Sequence, residues 1–136
     1  MLASETMDAV QALADLTEIS SQIEAAVLFD EGGAVLGSTL GDDEAAQALA
    51  RAGAALLERA GEFRSDGDGV TQLEASTPEG SVFVVRGDTR RIAATTGPAP
   101  TVGLVFYDLK SCLRGAAEDP PAPKRPRRKK AAEDEA

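Results

Sequence analysis

The chain has 136 residues, 43% of them hydrophobic and 27% charged, with no histidine and a single cysteine. That balance fits one small soluble domain, and a folded part of about 115 residues would bury roughly two-thirds of its unfolded-chain surface, enough for stability without metal or disulfide support. The missing histidine removes the commonest general base, the usual catalytic triads and His-containing metal sites, and Cys112 alone can form neither an intramolecular disulfide nor a thiolate zinc site.

Charge is divided unevenly. Residues 1–115 carry 18 acids and 8 bases, whereas 116–136 carry 5 acids and 6 bases, so an acidic body precedes a tail with a basic knot. An acidic body excludes phosphate-backbone recognition through the fold, and five Phe and Tyr with no Trp make a poor base-stacking platform. The amino terminus, MLASETMDAV, has acids where a secretory signal needs bases, and no apolar run approaches the roughly 20 residues of a membrane span. A cytoplasmic location is the expectation.

Residues 5–23 predict a helix, with Val10, Leu13, Leu16, Ile19 and Ile23 at three- and four-residue spacing. EAAVLFD, EGG and AVLGSTL then read as two short strands around a turn, where Gly32 and Gly33 tolerate positive φ. A long helix opens at Asp42, Asp43 and Glu44, which suit the positive end of its dipole, and continues to Gly61. On it Ala45, Leu49, Leu56 and Ala60 form one line, Ala46, Ala50, Gly53 and Leu57 flank it, and Gln47, Arg51 and Glu58 oppose them. Small residues on that face suit close approach to a sheet or a helix–helix seam; the alternative is that an Ala-rich chain simply places a good helix former there.

After the loop RSDGDG come three strand-like runs, Val70 to Thr77, Gly80 to Gly87 and Arg90 to Gly97, spaced as a meander. In the first, Thr71, Leu73 and Ala75 alternate with Val70, Gln72 and Glu74, the pattern of a half-exposed edge strand that invites a partner strand. Beyond Pro98 and Pro100, Val102, Phe106, Leu109 and Leu113 recur at helical spacing with Val105 and Cys112 beside them, and Asp108, Lys110 and Arg114 towards the wet side. TVGLVFY, at its start, also reads as a strand. Cys112 is expected to serve as a small buried hydrophobe, and the tripeptide Arg86-Gly87-Asp88 as a hairpin turn.

No phosphate-binding GxxxxGK[ST] loop occurs, and the glycines of GSVFVVRGD fit strand turns rather than an anion-binding helix start. The many carboxylates solvate the surface without a site signature. No cofactor, metal or catalytic residue is therefore expected.

The order helix, hairpin, helix, meander, helix resembles the Roadblock family, named for a dynein light chain and shared with late-endosomal scaffold subunits and bacterial regulators of Ras-like GTPases. The resemblance runs from about Val10 to Arg114 and is carried by LADLTEISSQIEAAVLFDEGGAVLGSTL, the Ala-rich helix after it, and GSVFVVRGDTRRIAATTGPAPTVGLVFYDLKSCLR. It implies an α+β fold: a five-stranded antiparallel sheet, one helix on one face and two on the other, over residues 1–116. It also implies a homodimer joined through the strand Val70 to Thr77 and the long helix. The expected interface is Ala46, Ala50, Gly53 and Leu57 on the helix, with Val70, Gln72, Leu73 and Glu74 on the strand. Members of the family act as platforms that commonly dock small GTPases, so a non-enzymatic adaptor or regulator of a Ras-like GTPase is the expected function, in a bacterium given the Ala, Gly and Arg richness.

Residues 117–136 are Pro-rich, poor in apolar side chains and charged in blocks, which predicts disorder. Lys124, Arg125, Arg127, Arg128, Lys129 and Lys130 form the basic knot, which suits a solvated tail, a fold-back on the acidic body, or contact with an anionic membrane at about 1 kcal/mol per cation. Tail-driven nucleic-acid binding is a further alternative. A small-molecule sensor of similar fold is the runner-up function, with Tyr107, Thr95 and Thr96 as its polar contacts.

Overall fold

A computed structural model describes residues 2–63 and 70–116, so the tail and the RSDGDG loop lie outside the described residues. The chain runs α1 (Leu2–Ile19), β1 (Ile23–Asp30), β2 (Val35–Ser38), α2 (Asp43–Phe63), β3 (Gln72–Thr77), β4 (Gly80–Arg86), β5 (Arg90–Thr96) and α3 (Val102–Ala116). The elements and their order are those read from the sequence. One sheet of order β2-β1-β5-β4-β3 holds all five strands, each neighbouring pair antiparallel.

The strands alternate their side chains between two cores. Ala26, Leu28, Phe83, Val85, Ile92 and Ala94 meet α1 and α3, while Val27, Phe29, Val84 and Ala93 meet α2. Two helices therefore lie on one face and one on the other. Phe83 is fully buried and meets Phe106 of α3 edge to face, with ring centroids 5.0 Å apart.

Hydrogen bonds set the connections. Asp30 Oδ1 accepts from the N–H groups of Gly32 and Ala34, both at 2.9 Å, and closes the expected β1–β2 turn, where Gly33 takes φ 91°. At the β3–β4 turn the Thr77 hydroxyl donates to Gly80 O at 2.7 Å and accepts from the Gly80 N–H at 3.2 Å. Gln22 Oε1 accepts from the Thr101 N–H at 2.6 Å, which fastens the start of α3 to the end of α1.

Three expectations about faces are corrected. The stripe drawn along α1 included Val10 and Ile19, yet these are 54% and 70% exposed, and the buried seam is Ala9, Ala12, Leu13 and Leu16. The seam runs there because α1 is pressed on β2, with Gly37 against Ala9 and Leu13, and on α3, with Gly115 near Ala12. Ile23 belongs to β1, opposite Thr96. On α3, Asp108 is buried rather than wet, at 6% exposure, because it falls beside the α1 seam with Leu109, whereas Lys110 and Arg114 are exposed as expected. The strand alternative for TVGLVFY is overturned, since helix α3 begins at Val102.

Cys112 is buried and free, as expected, and its thiol donates to Ala12 O at 3.5 Å. Burial first, and the Asp15 carboxylate second, push this thiol from 9.0 up to about 12. The native thiol therefore stays protonated near pH 8, and alkylation by iodoacetamide there should be far slower than in denaturant. An unfolded chain ionises the thiol first, so its contribution to stability is complete below about pH 8.5 and declines as pH rises towards 12, by at most about 1.4 kcal/mol per pH unit. Urea midpoints between pH 8 and 10.5 should fall more steeply for the natural chain than for Cys112→Ala; parallel curves would contradict the shift.

Candidate protein interface

β3 is an edge strand, so among the described residues the outer side of its backbone is open to a further strand. It is pinned on its other side by pairing with β4, Gln72 opposite Val85, Leu73 opposite Val84 and Glu74 opposite Phe83, and the backbone bond from Arg86 N–H to Thr71 O at 2.8 Å extends that ladder. Glu74 Oε2 accepts from the hydroxyls of Ser76 at 2.9 Å and Ser81 at 3.0 Å, which fixes a carboxylate on the α1/α3 side of this edge. Gln72, Leu73 and Glu74 are all half-buried; Val70 is half-buried too but precedes the strand.

On the opposite side of β3 an apolar shelf continues from the core under α2. Leu73 and Val82 of the sheet and Leu56 and Leu57 of α2 pack against that core while staying partly exposed. Half-buried leucines at a sheet edge leave apolar area in water, which a partner surface can remove at about 25 cal/mol per Å².

The same geometry places the helix half of the expected interface. Ala46, Ala50 and Gly53 are the buried residues of α2 and face the sheet of their own protomer, with Ala50 fully buried. A Cβ at Gly53 would lie 3.0 Å from Ala93 Cβ and 3.4 Å from Phe29 Cζ. Small side chains are needed there because α2 lies so close to β1 and β5. Leu57 alone of the four is partly exposed. Ala45, Leu49, Leu56 and Ala60, the expected central line, are half-buried flanking positions, while Gln47, Arg51 and Glu58 are exposed as expected.

The polar trio proposed for a ligand does not converge. The Thr96 hydroxyl is occupied by Gly97 O at 2.8 Å, and Tyr107 is 64% exposed beside a separate groove between α1 and α3 lined by Asp15, Leu16, Asp108 and Ser111, to which neither threonine contributes. Thr95 and Thr96 point to opposite faces of the sheet, as successive strand residues must. Among the described residues there is no cluster of His, Cys, Asp and Glu able to hold a metal, and no helix long and apolar enough to cross a membrane.

The sheet order, the two-plus-one helix arrangement and the open β3 edge can be compared with known structures. A Roadblock/LC7 domain from Streptomyces avermitilis superposes with a TM-score of 0.66 at 21% identity, over 74% of this chain and 88% of that one. The fold is that of Roadblock/LC7 domains. The gliding protein MglB of Thermus thermophilus matches at TM-score 0.63 and 18% identity, covering 83% of this chain and 88% of its own. An MglB in a tetrameric arrangement matches at TM-score 0.64 and 17% identity, with the same coverage. No protein-family model and no curated protein sequence matches the chain. The Roadblock likeness read from element order in the sequence is thus present in three dimensions.

Proposed function

We propose that this Roadblock-fold protein is a non-catalytic homodimeric adaptor of the bacterial cytoplasm that docks a small Ras-like GTPase. The observation that carries the reading is the β3 edge, unpaired on one side among the described residues, beside Leu57, Leu73 and Val82, which the core under α2 covers only in part. Two copies pairing through β3 would extend one sheet into the next by a two-fold, self-complementary contact. The likeness to an MglB solved as a tetrameric assembly supports self-association in this fold. The GTPase follows from the platform role that the Roadblock resemblance implies.

Static light scattering of the full chain should give twice the 14.0 kDa chain mass. Leu73→Lys, which places a charge at the centre of the edge, should give the single-chain mass with an unchanged far-ultraviolet spectrum. A dimer that survives this substitution would remove β3 as the seam. Capture from a lysate with GDP or a non-hydrolysable GTP analogue, followed by identification of the bound protein, tests the docking role: a GTPase retained with one nucleotide only is the expected result, and none with either contradicts it.

A further inference from the structure

Arg86 of β4 and Arg91 of β5 stand directly opposite each other across the strand pair. Both point to the α2 side, since Arg91 also opposes Phe29 of that core. They form one wall of an open cavity of about 360 Å³ lined on its other side by Ala54, Leu57, Glu58 and Gly61 along the second half of α2, with Val70 and Glu31 at its sides. Like charges directly opposite on neighbouring strands are destabilising unless something negative lies between them.

Arg86 has interaction partners of its own. Arg91 Nη1, in contrast, is buried without a hydrogen-bond partner among the described residues. Leaving a buried guanidinium N–H unmet is costly, and so demands an explanation. Two carboxylates are near, yet neither Glu31 nor Glu58 ion-pairs with Arg91; both are exposed at the mouth of the cavity, where water screens them. The carboxyl end of α2 favours a cation here, but its carbonyls leave Nη1 unbonded.

We propose that this cavity is a binding site for the oxyanion end of a small ligand, a carboxylate or a phosphate seated between Arg91 and Arg86. Guanidinium groups offer paired N–H donors that match either oxyanion. Ala54, Leu57 and Val70 supply an apolar wall for the body of the ligand, for which the cavity volume leaves room beyond the oxyanion itself. Glu31 and Glu58 oppose the anion weakly from the rim and would attract a cationic group on the same ligand. The site borders the proposed dimer face through Leu57, yet its anion-binding end, Arg91 and Arg86, needs neither a dimer nor a docked protein.

The test is a titration of the ¹⁵N-labelled full chain with inorganic phosphate and, separately, with acetate, at ionic strength held constant with sodium chloride. Saturable shifts at residues 54–61 and 86–92, including the Arg91 Nε–H signal, are expected. Arg91→Gln should weaken binding roughly tenfold or more. Glu58→Gln, an exposed substitution that leaves the core untouched, should tighten it about two- to fivefold by removing a rim charge. Phosphate without acetate identifies a phosphoryl ligand, and both together a carboxylate-tolerant one. No saturable shift, shifts confined to the basic residues 124–130, shifts that persist in Arg91→Gln, or unchanged affinity in Glu58→Gln would overturn the site.

Discussion

Gly53→Glu unfolds the protein instead of splitting a dimer. Gly53 lies on the face of α2 turned to the sheet, where a Cβ would already be 3.0 Å from Ala93 Cβ and 3.4 Å from the Phe29 ring. A glutamate there carries its carboxylate into a core of Val27, Phe29, Val84 and Ala93, each nearly or fully buried. Overpacking alone costs about 1–3 kcal/mol, and an unpaired buried charge adds several more unless it neutralises, against a typical domain stability of about 5–15 kcal/mol. Circular dichroism and a thermal melt should show loss of cooperative unfolding or a large fall in Tm. Gly53→Ala separates size from charge: the better helix propensity of alanine, worth about 1 kcal/mol, opposes a contact that Ala93 must relieve by a few tenths of an ångström. The alanine variant should stay folded and change stability by no more than about 1 kcal/mol. A folded monomeric Gly53→Glu chain would show that this flank faces outward after all.

Phe83→Ala is expected to be the most damaging simple truncation. Phe83 is at 0% exposure in β4, shares the core with Leu28, Val85, Ile92 and Leu109, and meets Phe106 edge to face. Removing a buried phenylalanine leaves a cavity that costs about 3–5 kcal/mol, and the aromatic pair contributes about 0.5–1.5 kcal/mol within that loss. Chemical denaturation should show the midpoint falling at unchanged slope. Phe106→Leu keeps most of the volume and should cost about 1.5 kcal/mol or less, because Phe106 is only half-buried. A loss below about 1 kcal/mol in Phe83→Ala would mean that the α3 side of the core collapses readily.

The two predictions turn on the same distinction, between a face that the chain's own sheet covers and a face left for others. α2 carries apolar residues over a wide arc, and the sequence pattern locates the arc without saying which part meets the sheet. The sheet takes Ala46, Ala50 and Gly53; what remains for a partner is Leu57, with Leu73 and Val82 beyond it. The edge strand was more legible. Alternation of Leu73 and Ala75 with Gln72 and Glu74 is a local property, and the edge position of β3 agrees with it.

The Arg86–Arg91 cavity had no signal in the sequence beyond two arginines flanking a turn. Their opposition is a matter of register, set when β4 and β5 pair Val84 with Ala93 and Val85 with Ile92. Asp108 is a similar case in the other direction: helical spacing placed it towards water, and the approach of α1 buried it.

Element type, order and turns were determined by the sequence alone, because they depend on spacings of a few residues: the period of apolar side chains, the Asp30-to-Gly33 turn, the acidic start of α2 and the prolines before α3. Which faces are buried, which small residues mark a close approach, and which charges meet were decided only by tertiary structure. Those properties depend on where a second element lies, and the distance between residues 53 and 93, or the pairing of 86 with 91, is written in no local spacing.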